Sequence, residues 1–376
     1  MRIWVAVTVF AAGSAIGFGQ CHQIGEVNAE KPEGQLLQQI GQESDEAKKL
    51  ALMEQFVGQF PQHEAIGWIY EQVQTAYIKA QNVDKALDVS EKLLAIPPDC
   101  PEAAHQALKA AEMKKDAGLI KKWSEQTAQV AQKVAASPQP KEEEEVEAWK
   151  RRVDYAKQVT KYAEYSLYAS ALQTTDPAQK IVLFEALEQR NPKSEYLAQS
   201  TGPLFLAYRQ TGANDKAVAL AEKVLATDQS NEDMLLVVAD SYLQKKQDPE
   251  KVLAYSAKLV EVMQAKPKPE GVSDADWQKR KTLISGLGYY ISGKQYMAQN
   301  KFAPADKDLR QALPLVEDNV NMKAETLFLL GLANYKMEKI QEAANFNKAC
   351  AAIKSPYQSQ AAKNLAAIRS QYRGVK

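Results

Sequence analysis

A spacing of nine residues between a tyrosine and an alanine recurs along this chain. The pairs with this spacing are Tyr77 and Ala86, Tyr208 and Ala217, and Tyr296 and Ala305. Each pair lies in a stretch whose pattern predicts a helix, a short turn and a second helix. Because a fixed offset that recurs in one chain indicates a structural repeat, this spacing constrains the fold more than any single residue does.

The segments around these markers have the composition and patterning of amphipathic helices. Ala, Leu, Lys, Gln and Glu dominate, and apolar residues recur at intervals of three and four, without an alternating run long enough for a strand. The breaks carry helix-start signals: Asp248 can cap the helix that Pro249 opens, and Ser273 with Asp276 forms a variant of the capping box. The sequence therefore predicts an all-α structure.

Further positions of the repeat carry small residues. Gly293 and Gly331 lie inside predicted helices, where Gly costs about 1 kcal/mol relative to Ala, so each indicates a close helix contact. Tyr208 and Tyr242 are one 34-residue period apart. With these features, the chain resembles the tetratricopeptide repeat family over residues 33–372. The resemblance implies an α-solenoid of stacked antiparallel helix pairs in a right-handed superhelix, with a concave groove for a protein or peptide partner.

Two proline-containing breaks divide the predicted solenoid. Following them, we expect N-terminal repeats over 35–137, central repeats with a longer helix pair over 138–265, and C-terminal repeats over 272–372. We also expect a flexible linker over 20–34 and a signal peptide over 1–19. The longer helix opens at the four glutamates of 142–145, whose charges complement a helix N-terminus.

The first residues have the order of a secretory signal. Arg2 supplies a positive charge, Ile3 to Ala12 is apolar, and small residues follow, with cleavage predicted after Ala15 or Gly19. The apolar run is too short to span a bilayer, which takes about 20 residues, so no transmembrane helix is expected in the mature chain. We therefore predict export to the periplasm or envelope of a bacterium, with secretion as an alternative.

The cysteines leave the state of the N-terminus open. Cys21 follows the predicted signal peptide, so it can be the lipidated residue of an envelope lipoprotein. Gln20 and Phe18 depart from the lipoprotein pattern. This departure favours a plain thiol at Cys21, in a flexible N-terminus. Three cysteines are too few for a disulfide framework, and a bond between Cys100 and Cys350 is not expected across so many repeats.

Composition and motifs argue against nucleic-acid binding and catalysis. Lys and Arg together number 47, as do Asp and Glu, so no basic field attracts nucleic acid. His105 lies near Cys100, but no further ligands at paired spacings follow, and we expect no metal site. Phosphate-binding loops and catalytic motifs are not found in the sequence, so we predict no cofactor and no enzyme activity.

Binding of a protein or peptide partner is therefore the activity that we predict. Placed on the helix-pair geometry of the repeat family, eleven side chains are candidates for the partner-binding groove: Trp68, Glu71, Arg209, Leu236, Asp240, Leu243, Tyr290, Lys294, Phe328, Leu332 and Tyr335. Their mix of aromatic and singly charged groups suits a peptide held by apolar pockets. Each of the aromatic residues can alternatively pack between repeats.

Three functional hypotheses follow from the sequence. The first is an exported scaffold or adaptor that binds another envelope protein in the groove. The second is a lipid-anchored component of an envelope or outer-membrane assembly complex, and it requires a lipid on Cys21. The third is a platform that presents substrates to an enzyme partner.

Overall fold

The computed structural model describes residues 21–372 and Gly374, so the predicted signal peptide lies outside the described residues. Seventeen α-helices account for the regular structure of this part of the chain. The helices form two compact units that divide between Gly212 and Ala213. The two proline-containing loops, at 136–142 and 266–273, each lie inside one unit.

The helices of unit 1 are α1 (Pro32–Gln42), α2 (Glu46–Gln59), α3 (Ile66–Lys79), α4 (Val83–Leu94), α5 (Pro101–Lys114), α6 (Ala117–Ala135), α7 (Glu143–Gln173), α8 (Pro177–Arg190) and α9 (Leu197–Gln210). The helices of unit 2 are α10 (Asn214–Leu225), α11 (Glu232–Lys245), α12 (Pro249–Ala265), α13 (Asp274–Ala298), α14 (Phe302–Leu315), α15 (Val320–Lys336), α16 (Ile340–Ala351) and α17 (Gln358–Gln371). The predicted long helix after the proline-containing loop is confirmed as α7, with 31 residues.

Within each unit, successive helices pack as antiparallel pairs. Between α13 and α14, Ser292 Oγ donates a 2.6 Å hydrogen bond to Asp308, and a Cβ added at Gly293 would lie 2.7 Å from Leu309. A Cβ added at Gly286, further from the turn on α13, would lie 2.8 Å from Cβ of Leu315, further from the turn on α14, so the two helices run antiparallel. Alternate helices also contact each other, as α3 does α5 and α11 does α13. Each unit is therefore an all-α solenoid of the tetratricopeptide type.

The recurring tyrosine lies in the last turn of the first helix of a pair. The backbone carbonyls of Tyr77, Tyr242 and Tyr296 accept hydrogen bonds of 2.9 to 3.0 Å from the amides five residues later, as in a Schellman motif. The residue that makes the turn has a positive φ at Gln81, Lys115, Gly212, Lys246, Asn300 and Glu338. Repetition of one turn geometry explains why the next helix begins at a constant offset from the tyrosine.

The same tyrosines connect each pair to the preceding helix. Tyr208 donates a 2.8 Å hydrogen bond to Glu185, and Tyr242 donates one of 2.7 Å to Glu222. Tyr77 makes the equivalent bond to Glu54. The alanines at the nine-residue offset, Ala86, Ala217 and Ala305, are fully buried. The spacing seen in the sequence is thus a packing pattern.

The predicted helix starts are confirmed. The Asp248 side chain accepts from the Lys251 amide and Pro249 is the first residue of α12. Ser273 Oγ accepts from the Asp276 amide at 3.1 Å and donates to the Asp276 carboxylate at 2.7 Å. Because these side chains satisfy amide groups that the helix itself leaves free, they set where α12 and α13 begin.

The segment 21–31, the N-terminal strap, corrects two predictions. Cys21 is bonded to Cys100, at the start of α5, so it is neither a free thiol in a flexible N-terminus nor free to carry a thioether-linked lipid. Ile24 and Val27 pack against the core of α2 to α5, and His22 is buried. The strap is therefore packed into unit 1, where a flexible linker over 20–34 was predicted, and α1 begins inside that range, at Pro32.

Candidate partner-binding face

Three first helices of unit 2, α11, α13 and α15, lie side by side and carry most of the predicted groove residues. We call this surface the α11–α13–α15 face. The predicted residues on these helices are Leu236, Asp240, Leu243, Tyr290, Lys294, Phe328, Leu332 and Tyr335. Leu236, Leu243 and Tyr290 belong to one apolar cluster between α11 and α13. The two leucines are only partly buried there, so they also present apolar surface.

Glu325 on α15 organises the centre of this face. Its carboxylate accepts a 2.5 Å hydrogen bond from the Tyr290 hydroxyl and lies 2.8 Å from the Lys294 ammonium. Lys294 also lies 5.0 Å from the centroid of the Tyr290 ring. Glu325 was not among the predicted residues, although it lies one helical turn before Phe328 and therefore on the same side of α15.

The electrostatics of this group favour an ionised Glu325 and neutral tyrosines. Burial alone would raise the pKa of Glu325, but hydrogen bonds from Lys294 and Tyr290 lower it below its ordinary value. Burial, reinforced by Glu325, raises the pKa of Tyr290 and raises the pKa of Tyr357 to about 12. The Lys294 and Glu325 charges therefore compensate each other, and the tyrosines stay protonated at neutral pH.

Two further candidates border this centre. Phe328 is half-buried and its ring lies 5.3 Å from that of Tyr357. Asp240 on α11 is half-buried, accepts a 2.7 Å hydrogen bond from Gln244, and makes no ion pair with any described residue. Its charge contributes to the raised pKa of Tyr290, which puts it within electrostatic range of the centre. The face therefore combines apolar surface with one uncompensated carboxylate.

Tyr335 and Leu332 do not join this group. Tyr335 packs with Ala343, Ala344 and Ile368, and its hydroxyl lies 3.4 Å from Gln371 on α17. Tyr335 thus serves the packing of the last helices, which was the alternative reading of the aromatic candidates. Leu332 is half-buried on α15.

The candidates in unit 1 have different surroundings. Glu71 on α3 accepts hydrogen bonds from the backbone amide of His22 at 3.0 Å and lies 2.7 Å from its Nδ1, and the Glu71 side chain is only 12% exposed. Trp68 packs against the same core as the strap. The Glu71 carboxylate, which was predicted to face a bound partner, is therefore occupied by the chain's own N-terminal strap. Arg209 is exposed near the end of α9.

Gly67 explains how the strap approaches α3 so closely. A Cβ at Gly67 would overlap the imidazole of His22, so only glycine leaves room for the ring. A sequence reading finds no periodic signal for this contact. The sequence signal that could have indicated this contact is that two of the three cysteines lie in the first third of the chain.

Metal-ligating groups come close together in the described part of the chain at one place. Among them, the one group close enough to share an ion is Cys21, Cys100 and Glu102, whose ligand atoms lie within 4.8 Å of one another. Because the two sulfurs are bonded to each other, they are not thiolates and do not ligate a metal in this state. Burial raises the pKa of Glu102 beside them. Across the described helices, none has both the length and the apolar content needed to cross a bilayer.

Comparison with known proteins adds little to this description. No family model and no curated protein matches the chain. Solved structures do match, among them the crystal structure of the tetratricopeptide repeat domain of P58(IPK), which is 13% identical. That match covers 90% of this chain and 95% of the other, with a TM-score of 0.28. Since this TM-score is low, the assignment of the fold rests on the helix contacts described above.

Proposed function

We propose that this protein is a non-enzymatic scaffold or adaptor of the bacterial cell envelope that binds a partner protein on the α11–α13–α15 face. The observation that carries the proposal is the side-by-side arrangement of three first helices around the compensated Lys294–Glu325 pair. A helical solenoid of this type offers an extended surface and suits protein binding.

The chemistry of the face indicates what kind of peptide fits. Leu236, Leu243 and Phe328 are half-buried apolar groups that can receive apolar side chains. Asp240 adds a carboxylate that pairs with a lysine or arginine of the partner. We therefore infer a partner segment in which apolar anchors flank a basic residue.

Two observations support export. The residues before Cys21 have the order of a signal peptide, and a disulfide such as Cys21–Cys100 persists in oxidising compartments and is rare in the cytosol. Sequencing the N-terminus of the mature protein from cell fractions tests this part. A chain recovered in the cytosol with residues 1–15 intact would contradict it.

A non-enzymatic role fits the protonation of the face. The raised pKa of Tyr290 keeps its hydroxyl protonated, so it is unsuited to act as a base or a nucleophile near neutral pH. A role in presenting substrates to an enzyme partner would use the same surface. The two roles differ in whether the captured partner has catalytic activity of its own.

Site-specific photo-crosslinking tests the binding face. A photoreactive phenylalanine analogue at position 328 is expected to capture a discrete partner in envelope fractions, whereas the same analogue at Val182, an exposed residue of α8 in unit 1, is not. Asp240→Asn is expected to reduce capture at position 328. Equal capture from both positions, or none from either, would exclude this face as the binding surface.

A further inference from the structure

A band of aromatic side chains runs across unit 1 and shares no residue with the α11–α13–α15 face. It consists of His105 on α5, Tyr155, Tyr162, Tyr165 and Tyr168 on α7, and Tyr196 at the start of α9. Neighbouring rings have centroids 4.5 to 6.4 Å apart, and Tyr168 and Tyr196 are stacked at 5.0 Å. We call this surface the tyrosine band.

Hydrogen bonds at the ring edges hold the band in place. The Tyr162 hydroxyl donates to Glu112 at 2.9 Å, the Tyr168 hydroxyl donates to Gln199 at 2.6 Å, and the Tyr155 hydroxyl lies 3.0 Å from Nδ1 of His105. These rings therefore lose little conformational freedom when a ligand binds.

The centre of the band is open. Tyr165 is 49% exposed, and its hydroxyl has no hydrogen-bond partner within the described part of the chain. Leu172, two turns further along α7 and so on the same side, is 44% exposed. A cavity of about 450 Å³ adjoins Tyr162 and Tyr165 and is also lined by Glu112, Lys115 and Asp176.

This chemistry favours a proline-rich peptide over a glycan. A polyproline II helix makes no internal hydrogen bonds and packs its rings on aromatic faces, so it needs only a few donors such as the Tyr165 hydroxyl. A sugar presents many hydroxyls, but the polar groups here are already engaged: Glu112 by Tyr162 and Ser166, and Glu164 by Asn191. Among the charged groups lining the cavity, Glu112 and Asp176 outnumber Lys115.

We propose that the tyrosine band is a second binding site that takes a proline-rich segment of another protein in the polyproline II conformation, with a basic residue directed at the negative charge of Glu112, which the Tyr162 and Ser166 hydroxyls hydrogen-bond but do not neutralise. The rings of Tyr165 and Tyr196 stack on successive prolines. The Tyr165 hydroxyl donates to a peptide carbonyl. This site is in unit 1 and does not depend on binding at the α11–α13–α15 face.

Fluorescence anisotropy with a labelled oligoproline tests the proposal. The probe is a chain of about ten prolines, roughly three turns of the polyproline II helix, followed by two lysines, and the protein is the full mature chain. Saturable binding is expected, weakened about tenfold or more by Tyr165→Ala. Since Tyr165 is half-exposed, this variant should fold, which circular dichroism checks; Tyr255→Ala in unit 2 is the matched control and should bind as the wild type does.

Four results would overturn the proposal. The first is no binding of the probe up to about 1 mM, which corresponds to a free energy of roughly −4 kcal/mol. The second is unchanged binding of the probe by Tyr165→Ala. The third is equal binding of a Gly/Ser peptide with the same lysines, which would indicate a purely electrostatic contact. The fourth is displacement of the probe by cello- or chito-oligosaccharides at lower concentration than by unlabelled oligoproline. Crosslinking at position 328 should persist in Tyr165→Ala, which separates this test from that of the proposed function.

Discussion

The hydroxyl of Tyr208 donates a 2.8 Å hydrogen bond to Oε1 of Glu185, which lies on the preceding helix of unit 1. Tyr242 and Glu222 repeat this relationship in unit 2. The tyrosine that marks the sequence repeat therefore also joins neighbouring helices through its side chain. We expect this bond to be measurable as stability.

Tyr208→Phe should lower the free energy of unfolding by roughly 1 to 2 kcal/mol, since it removes a hydrogen bond from the Tyr208 hydroxyl to a partly buried carboxylate. Burial, with Glu185 as the second cause, raises the pKa of Tyr208 above its ordinary 10.0. The contribution is therefore complete below pH 10 and declines as pH rises beyond it. Urea unfolding at pH 7 and at higher pH measures both effects. Tyr165→Phe is the control, and an equal loss there would contradict the assignment.

Cys21→Ser should destabilise unit 1 by roughly 2 to 5 kcal/mol, because the disulfide closes a loop between residues 79 positions apart. Calorimetry of the variant and of the wild type, with and without a thiol reductant, measures this. Reductant should lower the melting temperature of the wild type and leave that of the variant unchanged. A wild type that is insensitive to reductant would argue against the bond.

Gly293→Ala should destabilise unit 2 even though alanine is the better helix former. The added Cβ would lie 2.7 Å from Cγ and Cδ2 of Leu309, and relieving such an overlap costs roughly 1 to 3 kcal/mol. Gly202→Ala in α9 is the matched control, because no atom lies within 4 Å of its added Cβ. That variant should gain about 1 kcal/mol. If Gly293→Ala and Gly202→Ala shifted the midpoint of thermal unfolding equally, helix propensity alone would determine the effect on stability, which would contradict the prediction.

Glu325→Gln should reduce stability at pH 7, because it removes the charge that pairs with Lys294. Burial raises the pKa of Glu325, but the hydrogen bonds from Lys294 and Tyr290 together lower it by more. The pKa in the folded protein therefore lies below the ordinary 4.5. The contribution is present above pH 4.5 and is lost as pH falls through the folded value. The difference between wild type and variant, measured by thermal unfolding, should therefore shrink in acid. Glu261→Gln, an exposed glutamate on α12, should show no such trend.

The local part of this fold could be predicted from the sequence. Tyr208, Gly293 and Ser273 act on neighbouring helices or within one turn, so their roles leave a periodic or short-range signal. The position of His22 against Gly67 and the bond from Cys21 to Cys100 join distant parts of the chain. Contacts of that kind depend on how the helices stack and leave no period in the sequence.

The sequence also indicated some residues of the α11–α13–α15 face and not others. Tyr290, Lys294 and Phe328 were placed together because the helix-pair template aligns first helices. Glu325 was missed because a glutamate on a helix is usually solvated, and only the structure shows the two donors that converge on it. Tyr335 does not lie with them, because an aromatic at a groove position can equally pack onto the final helices.

The Cys21–Cys100 bond makes the chain between these residues a covalent ring that includes α1 to α4. A protease that cuts once inside this ring opens it without detaching either side. The nicked protein keeps its mass apart from one added water, and the two pieces part only after a thiol is supplied. The stretch that fills the α3 surface beside Glu71 thus stays tethered there even when its peptide connection to α1 is broken.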